Sequence, residues 1–322
     1  MKFWSPLETL QEKLICEGGI VNSHAHLDRA YTVNQHSMQL AKSHLYQKWK
    51  LVDDIKRKRT VEDYKNGISL ALEMQKFYGV KKVCSFIDID PVVKHKALDG
   101  ALLARKKTGN TGSDLIIACQ TLKGILNQEA RDLIEDRISD LDILGSLPGA
   151  DKGQEEKHLD VMFEMARAYN KMVHVHVDQL NTPREKETEM LCRKTIQWGM
   201  EGKVVAVHSI SLAAHPLHYR EEVYRMAQDA GMMFITCPTA WIDHPRTEEL
   251  VPFHNAITPV DEMLDYGLTV AIGSDNIHDI YKPYSNGDMI TELRFLLECC
   301  KIYDSAALKL IAVDNGLKVL GA

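Results

Sequence analysis

The sequence predicts an α/β fold, a single (β/α)8 TIM-type barrel. Three observations point there: short β-branched runs alternate with longer amphipathic stretches, the alternation recurs eight times, and no Pro/Gly/Ser-rich linker divides the 322 residues. The strand-like runs are residues 19–23, 82–87, 115–119, 141–144, 172–177, 204–208, 232–236 and 268–272. One domain over 1–322 follows, with chain left after the eighth run for two or three closing helices. An open doubly wound sheet is the rival, and the lack of a glycine-rich phosphate loop weighs against it.

Taken in order, the first run leads directly into His24-Ala25-His26, which continue the strand. Residues two apart on a strand face the same way, so both imidazoles project to one side. At the carboxyl end of a barrel strand that side is the mouth, where active sites of this fold gather. Such a pair either binds one divalent ion or forms two hydrogen-bonded core histidines. The second, third and fourth runs are short and of strand length. Ahead of the fifth, Leu159, Met162, Phe163 and Ala166 recur at helical spacing. The fifth reads Val173-His174-Val175-His176-Val177-Asp178-Gln179; His176 lies nearer the mouth and is the preferred ligand, while His174 lies deeper as a structural group and second choice. The sixth closes on His208. A second helical pattern, Val223, Met226, Ala227 and Ala230, precedes the seventh, after which Trp241, Asp243 and His244 fall in a mouth loop. There Trp241 either lines the pocket or packs on the surface. The eighth leads into Gly273-Ser274-Asp275-Asn276 and sets a carboxylate at the same level.

Each of these is weak alone. Together they bring metal-competent groups to one end of strands one, five, six and eight, which core packing does not explain. Imidazoles and a carboxylate suit zinc or iron(II), leave room for water and lower its pKa toward neutrality. Asp275 is then placed to accept a proton, and His208 either to complete the shell or to hydrogen-bond developing negative charge. No GxSxG elbow or catalytic cysteine pair competes.

The totals exclude other classes. A formal net charge of -6 argues against a nucleic-acid surface, and the basic run 56–59 sits among acids as a solvated helix end. No membrane-length apolar run or signal core occurs, and seven unpatterned cysteines suit a reducing compartment, so a cytoplasmic protein is expected. Phe3 and Trp4 are expected to plug the bottom of the barrel or to meet a second subunit, which leaves a homo-oligomer open.

The ordered set resembles the amidohydrolase superfamily, in particular its cytosine deaminase-like branch, which includes enzymes removing amino or alkylamino groups from triazine rings. His24-Ala25-His26-Leu27-Asp28 matches the first-strand motif, His176-Val177-Asp178 the fifth and His208-Ser209 the sixth. Gly273 to Tyr284 matches the stretch with the metal-binding aspartate, followed by an aspartate, an aromatic residue and proline. The resemblance implies that His24, His26, His176 and Asp275 bind one Zn2+ or Fe2+ ion and that His208 polarises water or substrate. It implies a small nitrogen heterocycle or related amide as substrate, with Tyr281 over its ring and Asn276 at a leaving or ring nitrogen. Arg29 matches a cationic position that contacts a ring carbonyl; a salt bridge to a neighbouring loop is its plain alternative.

Three departures stand out. Gln179 occupies the place of a proton-shuttling glutamate, and an amide has no transferable proton near neutral pH. The place of the cytosine-reading glutamine falls near Leu122, with Gln120 close by. The chain is too short at both ends for the accessory β-sandwich, which is expected to be largely absent. The alternatives are therefore a barrel that binds metal without turnover, for which Gln179 is the main support, and an adenosine deaminase-like enzyme.

Overall fold

The computed structural model describes residues 4–109, 111–240 and 256–322. Phe3, Trp241, Asp243 and His244 lie outside the described residues. Among those described, eight strands occur: β1 Ile20–Ala25, β2 Val80–Asp88, β3 Asp114–Gln120, β4 Leu144–Ser146, β5 Val173–Val177, β6 Val204–His208, β7 Met233–Thr236 and β8 Thr269–Ile272. All pairings between them are parallel. The helices are α1 Pro6–Cys16, α2 Leu45–Lys58, α3 Val61–Phe77, α4 Lys96–Thr108, α5 Gln128–Asp136, α6 Glu155–Tyr169, α7 Glu187–Trp198, α8 Leu217–Asp229, α9 Val260–Asp265, α10 Met289–Cys300, α11 Ser305–Lys309 and α12 Asn315–Val319.

Local chemistry accounts for these elements. β5 and β6 are buried at every residue, as parallel strands covered on both faces must be; β6 is apolar up to His208, and β5 sets His174 and His176 between valines. A reciprocal Thr60–Asp63 capping box opens α3. Asn170 and Gly199, both left-handed, end α6 and α7.

The ladder is divided into a three-stranded sheet, β1-β2-β3, and a five-stranded sheet, β4-β5-β6-β7-β8. Single parallel bridges span both seams, Ala118 to Ile143 and Ala25 to Asp275. At the first seam the Asp142 carboxylate accepts from the Ile117 N–H at 2.8 Å, where a ladder carbonyl would stand. β4 therefore begins at Leu144, displaced from the expected 141–144. Gly145 permits the close passage that follows, since a Cβ there would lie 1.9 Å from the Cys119 carbonyl oxygen.

Two expectations need correction. Trp4 plugs nothing: it is 77% exposed. The C-terminal segment takes that place instead. Val319 packs with Val205, Val207, Met233, Ile235 and Ala271, its carbonyl accepts from His174 Nε2 at 2.8 Å, and Asn315 Nδ2 donates to the Val270 carbonyl at 2.9 Å. Nor is the 56–59 run a wholly solvated helix end. Lys56 is buried, with Nζ 2.9 Å from Asp88 Oδ2 and 2.5 Å from Asp90 Oδ2, and Arg59 donates to the Asp28 carbonyl. Two carboxylates buried at the end of β2 require a cation, and α2 supplies it. No helix among the described residues is long and apolar enough to cross a membrane.

Candidate metal centre and substrate cleft

The second seam builds the centre. Asp275 follows β8 in a left-handed conformation, φ 59°, its N–H donating to the His24 carbonyl at 3.0 Å and its carbonyl accepting from the His26 N–H at 3.2 Å. The backbone of the His24-Ala25-His26 triplet thus clasps the residue whose carboxylate faces it. Gly273 lets the strands approach, because a Cβ there would lie 2.7 Å from His24 Cβ. Asn22 holds the seam from inside β1, with Nδ2 2.8 Å from both Gln75 Oε1 and Ser274 Oγ and with Oδ1 accepting from the Ser274 N–H.

Five predicted residues meet here. Asp275 Oδ1 lies 3.5 Å from His24 Nε2 and 3.2 Å from His26 Nε2. The His24 ring is 4.8 Å from that of His176 and 5.4 Å from that of His208, centre to centre. The donor atoms fall into two overlapping triads, His24–His176–His208 and His24–His26–Asp275, each with all atoms within 4.8 Å. His208 therefore stands among the groups able to hold an ion. His174 does not join them; it is tied to Val319.

The donor set fits a divalent cation. The Ser146 carbonyl only accepts, so its 3.2 Å contact fixes the His176 proton on Nδ1 and leaves Nε2 as a bare lone pair. That Nε2 is buried without a hydrogen bond, as are both His24 nitrogens and His208 Nδ1. Burial lowers the pKa of His24 and His208 to about 4 and that of His176 well below its ordinary value, so the imidazoles are neutral at physiological pH. Burial pushes Asp275 up, but the neighbouring His24, His26 and His208 imidazoles outweigh it and hold the carboxyl well below the usual range. Neutral imidazoles with unspent lone pairs beside an ionised carboxylate are what zinc and iron ligation requires.

His26 differs. Its Nδ1 faces Arg29 Nη2 at 3.0 Å, and a guanidinium only donates, so neutral His26 carries its proton on Nε2, toward Asp275. An ion held at Nε2 would take the place of that proton.

The cleft in front of the cluster has a volume of about 40 Å³ and opens to solvent. Its polar wall contains Arg29, Gln120, Gln179 and Asn276, together with His26, His176, His208 and Asp275. Arg29 is also ion-paired, with Nη2 3.5 Å from Asp88 Oδ1 and Nε 3.5 Å from Asp28 Oδ1, so it combines a place on the cleft wall with the salt bridge expected as its plain alternative. Asn276 Nδ2 donates to Asp279 Oδ2 at 2.5 Å, and Asp279 Oδ1 accepts from the Tyr281 N–H at 2.8 Å, which sets both side chains on the wall. The Arg29 guanidinium lies 5.3 Å from the centre of the Tyr281 ring. The apolar wall was missed in the sequence: Leu45 and Trp49 of α2, Leu122, Leu147, Ile210 and Ala240. Leu45 and Trp49 share a helix face at i, i+4 spacing, a signal that gives the face but not its docking place. Asp88 was missed too, although Asp88-Ile89-Asp90 closing an apolar strand could have marked it.

Fold and site together define an amidohydrolase: residues 45–303 match the sequence pattern described as Amidohydrolase family, and the chain belongs to that family. A protein of Haemophilus influenzae, named only as uncharacterized, is 42% identical over 261 residues, 79% of this chain and 94% of its own. The N-isopropylammelide isopropyl amidohydrolase of Pseudomonas sp. strain ADP is 25% identical over 311 residues, 94% of this chain and 74% of its own. Among solved structures, 5-methylcytosine deaminase of Klebsiella pneumoniae, liganded with 5-fluorocytosine, matches with a TM-score of 0.86 at 23% identity, over 94% of this chain and 75% of that one. An adenosine deaminase of Xanthomonas campestris with bound zinc matches at 0.59 and 16% identity, over 94% and 67%.

Proposed function

We propose that the chain is a metal-dependent hydrolase of carbon–nitrogen bonds, acting on a small planar nitrogen heterocycle or related amide. The observation that carries this reading is the buried cluster of four neutral imidazoles and one carboxylate, open on one side to a cleft. The two sheets are read as one closed (β/α)8 barrel and one domain, supported by the parallel bridges at both seams. His24, His26, His176 and Asp275 hold the ion, zinc or iron(II), with His208 adjoining. The Pseudomonas and Klebsiella relatives, named for a triazine and a pyrimidine, support the substrate class.

When bound, the ion supplies the Lewis acidity that brings water's pKa toward neutrality. The residues do the rest. Water oxygen bonds to the ring carbon, the bond from that carbon to the amine nitrogen breaks, and the protons of water end on the departing amine and the ring product. Asp275, ionised and facing the cleft, accepts the first proton and passes it toward the leaving nitrogen. His208, neutral, hydrogen-bonds the oxygen that gains charge. Gln179 orients the substrate through its amide, and Arg29, Gln120, Asn276 and Tyr281 contact it from the walls; Trp241 is assigned to the same cleft from sequence alone.

The test is metal content of the purified protein followed by ammonia or amine release from pyrimidines, triazines and pterins. Bound metal with turnover of at least one ring supports the reading. Metal without turnover across the panel favours the second reading, a metal-binding barrel without catalysis, which the Gln179 amide specifically supports.

A further inference from the structure

Resting on the reading of His176 as a metal ligand, we infer that Ser146, His158 and Asp151 are positioning residues: a one-way hydrogen-bonded chain outside the cleft that fixes the end of β4 on which His176 leans. Ser146 is the last residue of β4, Asp151 closes the turn that follows, and His158 lies in α6. Ser146 Oγ is 2.8 Å from His158 Nε2, and His158 Nδ1 is 2.7 Å from Asp151 Oδ2. Burial lowers the pKa of His158, so its ring is neutral and carries one proton. Asp151 Oδ2 also takes the Leu126 N–H at 3.2 Å, which marks it as an acceptor. The imidazole proton therefore stands on Nδ1, Nε2 is a lone pair, and the Ser146 hydroxyl donates to it. Every bond in the chain runs toward Asp151.

The same three residue types activate a serine nucleophile in many hydrolases. Ser146 is not placed for that. It is 2% exposed, and its neighbour Leu147 lines the cleft where Ser146 does not. What the chain holds is backbone. β4 has three residues, so only a short ladder keeps its end in register. The Ser146 side chain ties that end to α6, and the Ser146 carbonyl accepts from His176 Nδ1 at 3.2 Å. A displaced carbonyl turns the imidazole that bears the ligand nitrogen, because the outer hydrogen bond of a metal-binding histidine sets its ring orientation. Asp151 fastens a second strand end. Gly124 follows β3 with φ 78°, and a Cβ on it would overlap the Asp151 carboxylate. Leu122 and Leu147, close in sequence to these anchors, are cleft residues. One buried histidine outside the cleft thus secures the ends of β3 and β4 and, through β4, a ligand on β5.

The experiment separates ligand orientation from stability. Zinc affinity is measured by competition with a chelator, and the visible absorption of cobalt(II)-substituted protein reports ligand geometry. Both are read at a temperature where the metal-free proteins are fully folded by circular dichroism. Ser146→Ala removes the hydroxyl and keeps the carbonyl. His158→Asn keeps a donor toward Asp151 and loses the contact with Ser146. Both variants are expected to bind zinc about tenfold more weakly and to shift the cobalt bands. Ser146→Thr, which retains the hydroxyl, is expected to restore both readouts toward wild type. Variants that melt earlier but keep wild-type zinc affinity and cobalt bands overturn the inference, as does labelling of Ser146 by a fluorophosphonate probe, which would make it a nucleophile. A wild type that takes up no zinc overturns the hydrolase reading and this inference with it; a zinc-binding wild type with unaffected variants overturns the inference alone.

Discussion

Gly273 shows how narrow the tolerance is around the cluster. A methyl group there would meet His24 Cβ and the His24 carbonyl, each at 2.7 Å, and would push β1 away from Asp275. Gly273→Ala is expected to leave a folded protein that binds its metal about 10- to 100-fold more weakly, as measured by competition with a chelator; unchanged affinity would show that the seam yields freely. Gln179→Glu restores a carboxyl to a half-buried position on the cleft. A gain of amine release from cytosine-like rings is expected if the amide sets the present substrate range, and loss of an existing activity would assign Gln179 a role of its own. The residues of the cluster were legible because each closes a strand, and strand ends are readable from one dimension. Lys56 and Asp88 were not. Their pairing joins positions more than thirty residues apart, and a lysine inside a basic run carries no mark of burial.

At the scale of elements, the strands were legible from their apolar runs, and the exception has a local cause. Asp142 turns its carboxylate to the Ile117 N–H, so the fourth ladder starts later than its hydrophobicity suggests. Docking was less legible. The aromatic start of the chain drew attention to Trp4, whereas the segment around Val319 fits beneath β6, β7 and β8 with smaller side chains. Helix α2 is the element whose placement matters most, because it carries Leu45 and Trp49 to the cleft and Lys56 to the acids of β2. Lys56→Met is expected to destabilise the protein by about 3–5 kcal/mol in denaturant unfolding, since it strands Asp90 without its cation and leaves Asp88 with Arg29 alone. Lys58→Met, at an exposed position one turn-half further on, is expected to change stability by less than about 0.5 kcal/mol. Equal effects would contradict the buried pairing.

For the whole molecule, periodicity foretold an α/β chain with parallel strands but not the two seams, which depend on Asp142, Gly145 and the left-handed Asp275. Nor did it foretell the acids behind the cleft. Glu185 is pushed up to about 8, by burial and then by the neighbouring Asp178, while Ser211 Oγ and the Leu180 N–H donate to it. Glu187 beside it is raised well above its ordinary value, by burial first and by Glu185 and Asp178 after. A carboxyl whose folded pKa exceeds its unfolded value binds its proton more tightly when folded. Its contribution is complete below about pH 4.3 and is lost as pH rises through about 8. Melting temperature is therefore expected to fall between pH 6 and 9, and Glu185→Gln to recover about 2–4 °C of that fall, read by calorimetry; an identical fall in the variant would contradict the assignment.

The central claim is that separate strand ends converge to hold one cation. Anomalous scattering at the zinc and iron edges, from crystals of protein purified without chelator, tests it most directly. One peak at bonding distance from His24, His26, His176 and Asp275 is the predicted result. No peak, or a peak away from those four side chains, would contradict it.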